Sequence, residues 1–312
     1  MTLEADQIVE RRRLKRSRSL WRFGAILGVI LAMLGGLAAA GISTFGFGSH
    51  IARVKINGII TDDDNLVKAI DGVATDDSAE ALILSVDSPG GTVTGSQAIY
   101  EAVRRVAAKK PVVTVMGSLA ASGGYVVSLA ADHIIAGRNT ITGSIGVIMQ
   151  AVEVSGLLQK LGVQINEIKS APLKGEPSEF HTLTPEAKKA TESLVLDAYD
   201  WFVGLVAERR KLAPDVARGL GDGRVYSGKQ ALEAKLVDDV GDERTARTWL
   251  ASQYHVSEKE PVRDVDTSGR IPGIAGSQNR ALAALSVLVT GKVLDSKPLT
   301  LDGLVAIWHP AL

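Results

Sequence analysis

The chain has 312 residues, enough for one large domain or two modest ones, with ordinary apolar (46%) and charged (22%) shares. Lys plus Arg and Asp plus Glu number 35 each, so the net charge is zero and gives no electrostatic case for nucleic acid as a partner. Cysteine is absent, which excludes thiol nucleophiles, disulfides, zinc–thiolate sites and iron–sulfur clusters.

Residues 11–22 read RRRLKRSRSLWR, and from Phe23 to Ser49 no charged residue occurs. The apolar stretch is long enough to cross a hydrocarbon layer of about 30 Å. Basic residues before it predict a cytoplasmic amino terminus and an extracytoplasmic remainder. The expected division is a basic segment over 1–22, a transmembrane anchor over 23–47, a catalytic domain over 50–257 and an extension over 258–312. Two other readings compete: a cleaved signal peptide ending near Ala38-Ala39-Ala40-Gly41, and a buried soluble helix.

After the anchor, IARVKINGII reads as a strand with a turn at Asn57-Gly58, followed by a short helical pattern through Leu66, Val67 and Ile70. ALILSVDSPGG has the continuous apolar run of a buried parallel strand ending in a loop. Residues 95–108 return to helical spacing, and PVVTVMGS is a second buried strand. LAASGGYVVSLAA reads as a tightly packed helix, DHIIAG as a third strand, and TGSIGVI as the start of a fourth. Thr184-Pro185-Glu186 opens a long helix to about Lys211. Residues 204–241 add a helical pair with a glycine-rich corner. The extension is richer in Pro, Gly and Ser, with one apolar helix-like piece at 281–289. The alternation predicts a layered α/β domain with a largely parallel sheet.

Chemistry concentrates at a few places. In GSLAASGGY, Ser122 follows a buried strand and precedes a helix, so its hydroxyl can face the crevice at the strand ends. Amides at that helix start favour negative charge, which suits a nucleophile and its oxyanion. A serine kept only because packing demands a small side chain fits the local pattern equally well. In Asp87-Ser88-Pro89-Gly90-Gly91, backbone amides can approach a carbonyl oxygen; Ser88 itself is a weaker nucleophile candidate, because Pro follows it.

A serine nucleophile needs a base. The five histidines (His50, His133, His181, His255, His309) are scattered, with neither a triad arrangement nor metal-ligand spacing, so neither a metal nor another cofactor is expected. A lysine held neutral by burial can serve instead, and EIKSAPLKGEPSEF offers Lys169 and Lys174. Local context does not decide between them.

DSPGG, GSLAASGGY, TGSIGV, IKSAPLK and GRVYSGKQALEAKLVDDVG occur in the order found in bacterial signal peptide peptidases, and over about residues 52–245 the chain resembles the short, single-repeat form of that family. The resemblance implies a Clp- or crotonase-like fold and a serine endopeptidase with Ser122 as nucleophile and Lys174 as general base. It also implies Ser144 as the residue orienting the lysine, and the Gly91 and Gly123 amides as oxyanion donors. It further implies a homo-oligomeric ring in which neighbouring subunits share each dyad, membrane association and cleaved signal peptides as substrates. The expected location is the bacterial inner membrane. Ala171 and the segment 175–179 depart from the family pattern, which bears on contacts with substrate. Two alternatives stand beside the peptidase: a non-catalytic membrane scaffold, and a crotonase-like acyl-CoA enzyme.

Overall fold

The computed structural model describes residues 21, 24–29, 48–268 and 305–307. Of these, residues 49–268 and 305–307 belong to one compact unit, and residues 21, 24–29 and 48 to another. Most of the expected anchor, and the apolar piece at 281–289, lie outside the described residues. Residues 21 and 24–29 are helical. No helix among the described residues is long and apolar enough to cross a membrane.

The first unit is an α/β structure built on a mostly parallel sheet. Its strands are β1 (His50–Ile60), β2 (Ala79–Thr92), β3 (Val112–Ala121), β4 (His133–Ala136), β5 (Ile141–Gly143), β6 (Val225–Ser227), β7 (Asp239–Val240), β8 (Val262–Asp264) and β9 (Val305–Ile307). Its helices are α1 (Asp64–Val73), α2 (Val93–Ala107), α3 (Gly123–Ser128), α4 (Ser155–Lys160), α5 (Pro185–Arg210), α6 (Pro214–Leu220), α7 (Gly228–Glu233) and α8 (Glu243–Tyr254). The main path runs β6-β5-β3-β2-β1-β8, with β4 beside β3, β7 beside β4 and β9 beside β2. Among the described residues only the β5–β6 and β2–β9 pairs are antiparallel.

Strand β2 carries an unbroken apolar run from Ala81 to Leu84 because both its faces are covered there. Leu82, Leu84 and Val86 join the core under α1, α2, α3 and α5, while Ala81 and Ile83 face α8 through Ala246 and Leu250. Each such large side chain removed from water contributes about 1.5–3 kcal/mol. Strand β1 has one covered face in its second half. Val54 and Ile56 enter the core, whereas Arg53 and Lys55 point to Asp264 on β8, at 2.5 and 2.8 Å.

Three expectations change. Asn57-Gly58 is no turn: β1 continues through it with a register shift between Asn57 and Ile59. Leu119–Ala121 is strand, paired in parallel with β5, so the helix after Ser122 has only six residues. The glycine-rich corner contains β6, which the helical reading missed. The sheet also takes in β8 and β9, beyond the boundary drawn at 257. The Thr184 cap forms as expected, its hydroxyl accepting from the Ala187 amide at 3.1 Å with Pro185 at the first helical position.

Candidate active site

Strand β3 changes partner along its length. Val113–Met116 pair with β4, and Leu119–Ala121 pair with β5. The switch is fixed by hydroxyls: Thr140 donates to the Gly117 carbonyl (2.6 Å) and Thr142 to that of Ala120 (2.7 Å), while the Leu119 amide donates to Asp87 Oδ1 (3.0 Å). Chain direction then breaks at Ser122. Its φ of 55° and ψ of −118° are those of the first central residue of a type II′ turn, a position glycine normally fills. Ser122 is 1% exposed, and its hydroxyl makes no hydrogen bond among the described residues. Its amide donates to the Gly143 carbonyl at 2.8 Å. The amides of Gly123 and Gly124, at the start of α3, find no acceptor among the described residues.

Around this serine four of the five sequence motifs meet. Gly143 (φ +80°) packs so closely on the Tyr226 ring of β6 that a Cβ would sit 2.5 Å from it. Ser144 follows in a left-handed conformation, 8% exposed, held by its amide on the Arg224 carbonyl at 2.8 Å. The β3–β5 register ends at Ala121 opposite Gly143, which sets Ser144 level with Ser122. Tyr125, fully buried, donates its phenol to the Leu236 carbonyl at 2.7 Å, and burial lifts that phenol's pKa well above its usual range. The helix after Ser122 is thus tied to the GRVYSGKQALEAKLVDDVG segment.

The DSPGG segment, expected as a loop, is the C-terminal end of β2 and supplies the opposite wall. Ser88 pairs with Ala120 across the sheet, and its hydroxyl donates to the Gly58 carbonyl (2.6 Å) and accepts from the Gly90 amide (3.0 Å). That hydroxyl is committed to holding this end of the strand. Gly91 lies flat on β1, where a Cβ would stand 1.8 Å from the Ile60 carbonyl oxygen.

The fifth motif does not join them. Lys174 is exposed and makes no side-chain hydrogen bond or ion pair among the described residues, and none links it to Ser122. Lys169 is engaged: its ammonium reaches Glu167 and Glu176, both at 2.8 Å, and His181 at 3.2 Å. Hydrogen bonds to those two carboxylates raise its pKa, the reverse of what a general base needs. Sequence reasoning also missed Thr140, Thr142, Asp87 and Tyr226, which hold the strand ends together. Their only sequence signal is that they lie within or beside the recurring motifs.

Residues 104–257 match the family described as peptidase family S49. A protein of Synechocystis sp. named as a protease is 40% identical over 204 residues, 65% of this chain and 73% of that protein. A protein of Enterococcus faecium named as a signal peptide peptidase, SppA, is 32% identical over 262 residues, 78% of this chain and 76% of that protein. Among solved structures, a mutant of the 1510-N membrane-bound stomatin-specific protease is 17% identical, with a TM-score of 0.47, over 70% of this chain and 98% of that one.

Proposed function

We propose, from the premise that the chain belongs to peptidase family S49 and is a serine peptidase, that Ser122 is its nucleophile and Lys174 its general base. The supporting observation is the state of Ser122: a buried serine in a glycine-like conformation, its hydroxyl unbonded among the described residues. Strained backbone at such a position recurs where a side chain must be presented to a reacting group. Its neighbours suit acyl transfer. In this reading the Gly123 amide at the helix start and the Gly91 amide of the opposing strand end donate to the developing oxyanion.

The chemistry follows in two halves. Lys174, as the free amine, accepts the Ser122 proton while Oγ attacks the scissile carbonyl carbon. The tetrahedral intermediate expels the amine, which takes that proton from Lys174, and leaves an acyl-serine ester. Lys174 then deprotonates a water whose oxygen attacks the ester, and the acid product departs as Ser122 recovers its proton. Ser144, level with Ser122, orients the lysine amine by hydrogen bonding.

Lys174 comes from a neighbouring subunit in this proposal. The segment that bears it exposes Val152, Leu157, Leu161, Ile165, Ile168 and Leu173, an apolar surface suited to burial against a second copy. Such burial would also hold the amine neutral. A ring built this way, with a Clp- or crotonase-like subunit fold, is anchored through residues 23–47 in the cytoplasmic membrane, with its catalytic units on the far side. Its substrates are cleaved signal peptides and other unfolded chains. The E. faecium relative's name supports that substrate class.

The test is complementation. Ser122→Ala and Lys174→Met each abolish peptide hydrolysis with the fold intact, and mixing the two inactive proteins under exchange conditions restores it. Turnover retained by Ser122→Ala sinks the nucleophile assignment, and failure to complement sinks the shared site.

A further inference from the structure

Two arginines converge on the helix that Ser122 opens. A helix leaves its last carbonyls without amide partners, and buried carbonyls need donors. Past Ser128 the chain turns once more, and Leu129, Ala130 and Ala131 end that turn fully inside the protein. Arg209, in the last turn of α5, donates from Nε to the Leu129 carbonyl at 2.8 Å and from Nη2 to that of Ala131 at 2.9 Å. Arg104, in the last turn of α2, donates from Nη1 to the Ala130 carbonyl at 2.9 Å and faces Asp132 at 3.5 Å. Three consecutive carbonyls are thus held by guanidinium groups from two other helices. Helix α2 has a second tie to the site. Thr92, which caps it by accepting from the Gly95 amide at 3.1 Å, directly follows Gly91. The same helix begins beside one assigned oxyanion donor and ends on the helix that carries the other.

We propose that Arg104 and Arg209 are positioning residues of the oxyanion site, gripping α3 at its far end so that the Gly123 amide stands at a fixed place relative to the Gly91 amide. The inference rests on the assignment of Ser122, Gly91 and Gly123 made above. Both arginines act through the helix, in two ways. Their bonds fix where the helix lies along its axis, and a donor displaced by about 1 Å loses much of its effect. Their charges also sit at the negative end of the helix dipole, about 9 Å from Gly123 at about 1.5 Å per residue, and favour negative charge at the front. The oxyanion develops only on the way to the tetrahedral intermediate, so losing this support acts on kcat and leaves KM in place.

Arginine variants of the full-length protein test this, with kcat expressed per serine titrated by a fluorophosphonate so that unfolded protein is not counted. Arg209→Met is expected to lower kcat on a fluorogenic peptide about 10- to 100-fold, and Arg104→Met about three- to tenfold, with KM within about twofold of the parent. Arg209→Lys keeps the charge but lacks the fork that spans two carbonyls, and should fall between Arg209→Met and the parent. Affinity for a peptide aldehyde, whose hemiacetal with Ser122 carries the oxyanion, should weaken by the same factors as kcat/KM. Arg105→Met removes a pair with Asp71 (2.8 and 3.0 Å) from the same turn of α2 and should keep its kcat. A kcat per titrated serine within about twofold of the parent in folded Arg104→Met and Arg209→Met overturns the proposal, as does a loss confined to KM. If the methionine variants do not fold, Arg209→Lys decides: full turnover with full aldehyde affinity overturns it. Failure of the underlying site assignment has a different signature, since turnover then persists in Ser122→Ala and the probe attaches elsewhere.

Discussion

Replacing Ser122 by glycine separates the energetic cost of the nucleophile's conformation from its chemistry. At φ 55° and ψ −118° the residue lies outside even the small left-handed helical region open to L-residues, which puts its strain near the top of the usual range, about 3 kcal/mol. Glycine relieves that strain. Against it stand the extra freedom glycine adds to the unfolded chain, about 0.7 kcal/mol, and the loss of one buried carbon, about 0.8 kcal/mol. The balance favours Ser122→Gly over Ser122→Ala by roughly 1.5 kcal/mol, since alanine loses the same hydroxyl but keeps the Cβ. For a unit of this size that is a Tm difference of roughly 3–6 °C. Scanning calorimetry of both variants reads it directly, and both should be inactive toward peptides. A glycine variant no more stable than the alanine variant would refute the claim that backbone strain is stored at the nucleophile.

Other consequences can be checked in the same protein. Gly91→Ala drives a Cβ to within 1.8 Å of the Ile60 carbonyl oxygen, so the end of β2 must shift; the expected cost is about 3 kcal/mol in denaturant unfolding, with peptide hydrolysis falling further than stability explains. Asp238→Asn breaks the two-bond pair with Arg210 (2.7 and 3.0 Å) and weakens the bond from the Ile134 amide, costing about 2 kcal/mol. Burial pushes the Asp238 pKa up, but Arg210 outweighs it and holds the carboxyl below the usual range, so an unchanged Tm would contradict the pairing. Asp264, hydrogen-bonded by Arg53 and then Lys55, has its pKa pulled down from 3.8 to about 2. A depressed carboxyl stabilises above its unfolded value and loses that contribution as pH falls through the folded one. The stability gap between the parent and Asp264→Asn should therefore be constant above pH 4 and close between about 4 and 2.

Much of the frame was legible because local and tertiary forces agree there. The apolar run of β2 is what burial on both faces requires, and Thr184-Pro185 caps α5 where the sequence puts it. Misreadings arose where tertiary pairing overrides local preference. Leu119, Ala120 and Ala121 are good helix formers, yet β5 pairs with them and Thr142 fastens Ala120. Strand β6 is three residues in a segment of helical composition, and pairing with β5 makes it a strand. Gly58 suggested a turn because local sequence does not reveal that β2 continues alongside.

The lysine was the least legible element, and the reason is physical. Choosing between Lys169 and Lys174 requires knowing which ammonium is neutralised within the chain, and carboxylates nine residues apart in sequence, Glu167 and Glu176, converge on Lys169 only through the fold. Lys174 is left with its charge unmatched among the described residues, on a segment whose apolar side chains face solvent. One Glu176 carboxylate oxygen in that segment is buried and also has no hydrogen-bond partner among the described residues. An unpaired ammonium, an unpaired buried oxygen and an apolar surface on one short segment are deficits that a second copy of the chain could meet together. Ser122, by contrast, is surrounded by four motifs whose hydrogen bonds close within the chain. The asymmetry between a finished serine side and an unfinished lysine side is what makes complementation between Ser122→Ala and Lys174→Met the decisive experiment.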